Sequence, residues 1–180
     1  MLKTDDDAFV NSPELLDFLS QDFSPWGPQR LILCQTHTSG YVHRSSKSKW
    51  RVTKLEYPGK RYPPFCAGWA VLYSPDVVFL LYREAQRSEY FWLDDVHVTG
   101  ILAARAKLSH IPIGRLMLPR QKVKLLLGSK GKGSEIGVFL FGPADLSRTD
   151  IRGLWQLVQD RRSASGQAAL QEQTPQVPSL

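Results

Sequence analysis

The sequence predicts an α/β layered domain, and three observations carry that reading. Short apolar runs of strand character alternate along the chain with helix-forming segments, the order that yields a sheet covered by helices. Two of those helical segments open on a Ser-Pro pair, Ser12-Pro13 and Ser74-Pro75, a cap followed by proline in the first turn. Acidic clusters stand beside the apolar runs, and in α/β domains ligands sit in loops beyond strand ends.

The elements follow in order. Met1 to Thr4 running into Asp5-Asp6-Asp7 reads as the end of a buried strand with a polar loop at its tip. Ser12 as cap, Pro13, Glu14, then Leu15, Leu16, Phe18 and Leu19 predict a helix. Residues 22–29 hold two Pro and one Gly and read as a loop. Leu31-Ile32-Leu33 is a short strand. Residues 35–64 are polar and turn-rich, with a strand expected at Trp50-Arg51-Val52 and a stiff close at Tyr62-Pro63-Pro64. Ala67 to Tyr73 is a strand whose Gly68 admits close approach. Val77 to Arg87 and Asp94 to Ala106 are helices, the latter with Val96, Ile101 and Leu102 inside. Residues 136–141 read as the strongest late strand, and Leu146 to Arg161 as a closing helix with Leu154, Trp155 and Val158 inward. This gives one domain over 1–161. Residues 162–180, rich in Ser, Gln, Ala and Pro, are expected to be a disordered tail.

An apolar fraction of 42% and a charged fraction of 22% are ordinary for a globular core, which excludes disordered and fibrous classes. The formal charge of +6 raises nucleic acid as a partner. The basic residues are scattered in short groups without a nucleic-acid motif, so they read as solvated faces. No apolar run approaches the roughly 18 residues that cross a bilayer. Two cysteines, Cys34 and Cys66, leave open one bridge in an oxidising compartment or two free thiols in a reducing one.

Two acidic groups stand out chemically. Adjacent carboxylates repel, so Asp5-Asp6-Asp7 suits a hard cation that bridges to phosphate oxygens, or else a solvated turn. In Phe91-Trp92-Leu93-Asp94-Asp95-Val96, a carboxylate beside aromatics can gain proton affinity and serve as a base, or else the pair caps a helix. Tyr62-Pro63-Pro64-Phe65-Cys66-Ala67-Gly68-Trp69 suits a stiff wall for a flat ring, or a turn into a core strand. His37, His43, His97 and His110 read as surface or packing residues.

The order of these pieces resembles the β-1,3-galactosyltransferase and β-1,3-N-acetylglucosaminyltransferase family, glycosyltransferase family 31. Lys3 to Asn11 resembles its metal-binding motif; Val42-His43-Arg44 with Ser48-Lys49-Trp50 resembles the next block. Tyr57-Pro58 and Tyr62 to Gly68 resemble its acceptor-side signature, and Asp94-Asp95-Val96 stands where the family has Glu-Asp-Val. The match runs from residue 3 to about 102.

The resemblance implies a GT-A fold, here its C-terminal portion, with an incomplete mixed sheet flanked by helices. It implies an inverting enzyme that moves a hexose or N-acetylhexosamine from a UDP-sugar to a glycan acceptor on a glycoprotein or glycolipid. Asp5, Asp6 and Asp7 would face the donor, with Asp5 and Asp7 holding Mn²⁺. Asp95 would be the general base and Asp94 a helix cap. Tyr62, Pro64, Gly68, Trp69 and Asp94 would stand on the acceptor side. The resemblance also implies an oxidised Cys66, for which Cys34 is the partner on offer if geometry permits. A Golgi-lumenal setting goes with it, as does a fragment, since relatives carry an anchor, a stem and a nucleotide-binding half ahead of the acidic motif. Trp69-Ala70 replaces small glycines, and Phe139 to Gly142 stands where a metal-ligating His would be sought. The rival readings are a non-catalytic glycan-binding remnant and a metal-dependent nuclease built on Asp5, Asp7 and Asp95.

Overall fold

A computed structural model describes residues 1–22, 29–128 and 137–172. The 22–29 loop and Ile136 of the expected late strand lie wholly or partly outside those residues. Four strands, β1 (Leu2–Thr4), β2 (Leu31–His37), β3 (Phe65–Tyr73) and β4 (Ser109–Pro112), form one open sheet in the order β1-β3-β2-β4. The sheet is mixed: β3 runs antiparallel to β1 and β2, and β2 runs parallel to β4.

Helices cover both faces, and strand alternation decides which side chain meets which helix. On one face Ile32, Cys34, Val71 and Tyr73 pack with Val77 and Leu81 of α2 (Pro75–Ala85) and with Leu102 and Ala103. On the other, Leu33, Ala70 and Leu72 pack with Leu15 of α1 (Ser12–Asp22), Ile113, Leu140 and Phe141. Having both faces buried accounts for the near-continuous apolar run of β3. A further cluster joins Phe9, Val123 and Leu126 of α4 (Arg120–Gly128), and Leu154 and Val158 of α5 (Arg148–Glu172). The mixed sheet with helices on both faces fits a partial GT-A domain.

Several elements differ from expectation for physical reasons. Helix α1 starts one residue early, at Ser12 itself. The Leu15 N–H donates to the Asn11 carbonyl at 2.9 Å, and the Asn11 Nδ2 donates to the Phe139 carbonyl at 2.9 Å. Trp50-Arg51-Val52 forms no strand. Val52 is fully buried but pairs through one bond, its N–H donating to the His43 carbonyl at 2.8 Å. Residues 137–141 form no strand either. Phe141 makes single bridges to Val10 and Met117, threading between two segments too short to offer it a ladder. At its end Gly142 lies so near Phe9 that an added Cβ would meet the Phe9 Cβ at 2.9 Å.

Strand β4 and helix α4 were not anticipated. Pro112 disguises the first, and the basic residues that separate the apolar ones, with a glycine at its end, disguise the second. Helix α5 opens on a capping box: Ser147 Oγ accepts from the Asp150 N–H at 3.1 Å while Asp150 Oδ2 accepts from the Ser147 N–H at 3.2 Å. It runs to Glu172, into the stretch read as tail; residues 173–180 lie outside the described part. Trp155 is not fully inward. It leans on Phe9 with ring centroids 6.5 Å apart and stays 37% exposed.

Candidate active site

A cleft of about 920 Å³ opens beside β1 and β3, lined in part by Asp5, Asp7, Gly68, Trp69, Asp94 and Asp95. Tyr62 lines it too. Asp6 and Pro64, both exposed, are absent from the lining. Seven of the nine residues singled out in the sequence therefore share one cleft.

The strand pairings bring them together. Register places Lys3 opposite Val71 and Thr4 opposite Ala70, and the Asp5 N–H donates to the Trp69 carbonyl at 3.1 Å. The acidic tip of β1 thus lies against the middle of β3. Lys3 crosses between them: its Nζ donates to Asp5 Oδ1 at 2.8 Å and to the Gly68 carbonyl. A Cβ at Gly68 would meet the Asp95 Cβ at 3.2 Å and Lys3 Nζ at 3.4 Å. The glycine is what lets the second acidic pair approach the first.

Asp95 is held from the other side. Phe91 and Leu93 are buried in an aromatic cluster with Tyr62 and Val96, which pins the chain just before the acids. The helix that starts there is wound as a π-helix over Val96–Leu102 before continuing as α3 (Ala103–Arg105). π-Turns often mark functional sites. Thr99, buried within it, donates from Oγ1 to the Asp95 carbonyl at 2.5 Å and accepts from the Cys66 N–H at 2.8 Å. The Thr99 carbonyl in turn accepts from His110 Nε2 of β4 at 2.6 Å. Next to that tether, Cys34 and Cys66 form a disulfide joining β2 to β3, so the pair that the sequence left open does close.

The expected division between the two acids is partly reversed. Asp95, not Asp94, carries the cap, its Oδ1 accepting the Val96 N–H at 2.7 Å. Burial pushes the Asp95 carboxyl above the ordinary carboxylate range, opposed by that N–H and helped by the charge of Asp94, while His37 and Lys3 pull it down. Asp94 is exposed. A half-buried carboxylate with raised proton affinity facing a cleft has the properties of a general base.

Among the described residues no three His, Cys, Asp or Glu side chains stand close enough to hold a metal by themselves. One oxygen does look for a cation. Asp7 Oδ1 is buried and has no hydrogen-bond partner, although Asp7 lines the cleft. A hard divalent ion with most of its shell made of phosphate and water oxygens needs only one or two carboxylates, so Asp7 with Asp5 fits such an ion. Asp5 would first have to share or release Lys3.

The sequence of this chain matches the family model described as "Galactosyltransferase" over residues 1–113. The chain belongs to the galactosyltransferase family. It is 33% identical over 108 residues to mouse beta-1,3-galactosyltransferase 5, covering 60% of this chain and 34% of that protein. It is 34% identical over 98 residues to human beta-1,3-galactosyltransferase 1, covering 54% of this chain and 29% of that protein. The chain thus spans about a third of the length of these relatives. As a member of this family it is placed among the glycosyltransferases, and nothing in the family placement supports the nuclease reading.

Two residues that shape the candidate site of this galactosyltransferase-family chain carry only weak signals in the sequence. Lys3 stands two residues before the acidic run, just inside the end of β1, and that spacing is the signal of charge neutralisation. For Thr99 the cue is a threonine inside an apolar helical run.

Proposed function

We propose that this chain carries the metal- and acceptor-binding part of an inverting hexosyltransferase. It would transfer a hexose or N-acetylhexosamine from a UDP-sugar to a glycan hydroxyl in β-1,3 linkage. The observation that carries the reading is the half-buried, proton-hungry Asp95 sharing one cleft with the unpartnered oxygen of Asp7. The printed names of the relatives, beta-1,3-galactosyltransferases, support the linkage and favour galactose as the sugar.

In this mechanism Asp95 accepts the proton of the acceptor hydroxyl as its oxygen bonds to the anomeric carbon and the bond to the diphosphate breaks. Attack opposite the leaving group inverts that centre. Gly68 keeps the space through which Asp95 reaches, and Tyr62, Trp69 and Asp94 flank the acceptor. Asp7, with Asp5, would hold Mn²⁺, which when bound neutralises charge on the departing diphosphate. The Cys34–Cys66 bridge supports an oxidising compartment, in line with a Golgi-lumenal setting for glycoprotein or glycolipid acceptors.

Calorimetric titration of the chain with UDP, with and without Mn²⁺, tests the donor side. Binding that needs the metal and disappears in Asp7→Ala is expected. UDP binding that ignores both the metal and Asp7 would overturn the metal assignment.

A further inference from the structure

The loop between β2 and β3 carries charge that the proposed chemistry leaves unused. From Arg44 to Arg61 it has seven cationic residues and one acid, Glu56. Arg44 is consumed inside the loop, donating to the carbonyls of Val52, Tyr57 and Gly59 at 2.7–2.8 Å. The other six, Lys47, Lys49, Arg51, Lys54, Lys60 and Arg61, are exposed, and none is in salt-bridge contact with a carboxylate among the described residues.

Two of the six are held on aromatic faces. Lys49 Nζ lies 4.5 Å from the centre of the Trp50 ring, and the Arg61 guanidinium lies 4.2 Å from the centre of the Tyr41 ring while bonding its hydroxyl. Tyr41, Lys49 and Trp50 line the same cleft as Asp95. That cleft is therefore lined on one part by carboxylates from the tip of β1 and the turn before the π-helix, with Lys3 among them, and on another by Lys49 and the rings of Tyr41 and Trp50 from the β2–β3 loop. A polyanion such as a nucleic acid would meet the carboxylate wall along its length. A small ligand with a neutral hydroxyl at one end and a single anionic group further along satisfies both walls.

Resting on the transferase reading above, we propose that this cationic-aromatic wall selects an acceptor glycan bearing an anionic substituent, a carboxylate or a sulfate, close to the accepting ring. The rings offer flat apolar surface for a sugar, and the cations beside them offer its charge a partner.

The test is a binding titration of the chain with three disaccharides: a neutral one, its uronic-acid counterpart and its sulfated counterpart. It is run at ~50 and ~150 mM salt, across which exposed charge pairs lose strength. At least one charged disaccharide is expected to bind roughly tenfold or more tightly than the neutral one, a margin of about 1.4 kcal/mol. Which of the two does so names the group. The margin should shrink at the higher salt and vanish in Lys49→Glu, and it should survive in Lys54→Glu, a position outside the cleft lining. Equal binding of all three sugars would overturn the proposal. So would an equal loss in both variants, which would mean a diffuse field rather than a site, or tighter and competing binding of duplex DNA or anionic vesicles. If the UDP titration fails while the anionic preference holds, the donor reading falls and the wall stands. If UDP binds and the preference is absent, only this inference falls.

Discussion

Asp94 and Asp95 are neighbours in sequence that the fold treats differently, one exposed and one half-buried beneath Gly68. Asp95→Asn keeps an oxygen that can accept the Val96 N–H but cannot take a proton, so transfer should fall about 10²–10⁴-fold with UDP binding retained. Asp94→Asn should stay within a small factor of the parent, measured by the same steady-state assay; a dead Asp94→Asn beside a normal Asp95→Asn would move the base. Stability should go the other way. A carboxyl whose folded pKa is raised binds more protons folded than unfolded, so it costs the fold stability as pH rises from the ordinary carboxylate value through the raised one. Asp95→Asn should therefore melt higher than the parent at neutral pH, with the gap closing in acid, and an unchanged melting difference across that range would contradict the burial argument. Gly68→Ala tests the same geometry by pressing a methyl on Asp95, with rate losses of up to about 10²-fold expected from small misplacement.

At the scale of elements, the sequence was most legible where one local rule sufficed. Ser74-Pro75 sets the start of α2, and the apolar run from Ala67 to Tyr73 marks a strand. It was least legible where pairing depends on distant partners. The run at Phe139-Leu140-Phe141 has the composition of a strand yet finds only isolated bridges, and β4 has weak composition yet finds a parallel partner in β2. The π-winding of Val96–Leu102 is likewise a tertiary choice, tied down by Thr99 to Cys66 of β3. Thr99→Val should leave the Cys66 N–H buried without an acceptor, at about 1–3 kcal/mol. Because the same hydroxyl holds the Asp95 carbonyl, the ascending limb of the pH–rate profile should also shift, and Thr99→Ser should restore both. A stability loss with no change in that profile would make Thr99 a packing residue only.

For the molecule as a whole, the candidate site depends on how β1, β3 and the π-helix are held around β2, where the Cys34–Cys66 bridge sits buried between the two central strands. Seven residues of the cleft are legible in the sequence, because their order along the chain carries a family pattern. The sequence leaves the bridge open, because two cysteines 32 residues apart specify a distance only once the sheet register is known. The register supplies it: β2 pairs Cys34 with Val71 and Thr36 with Cys66, and the shift between those pairs turns both sulfurs into the same core face. Closing a loop of that length restricts the unfolded chain by about 3–4 kcal/mol. For a chain of this size that corresponds to roughly 6–15 °C in melting temperature. Reduction, or Cys34→Ala with Cys66→Ala, should lower the melting point by that amount in differential scanning calorimetry. Since the Cys66 N–H anchors Thr99 and Thr99 anchors Asp95, the reduced protein held below its melting point should also lose transfer rate more than it loses UDP affinity. Equal losses in rate and affinity would mean that the bridge supports the whole fold and not the placement of the base.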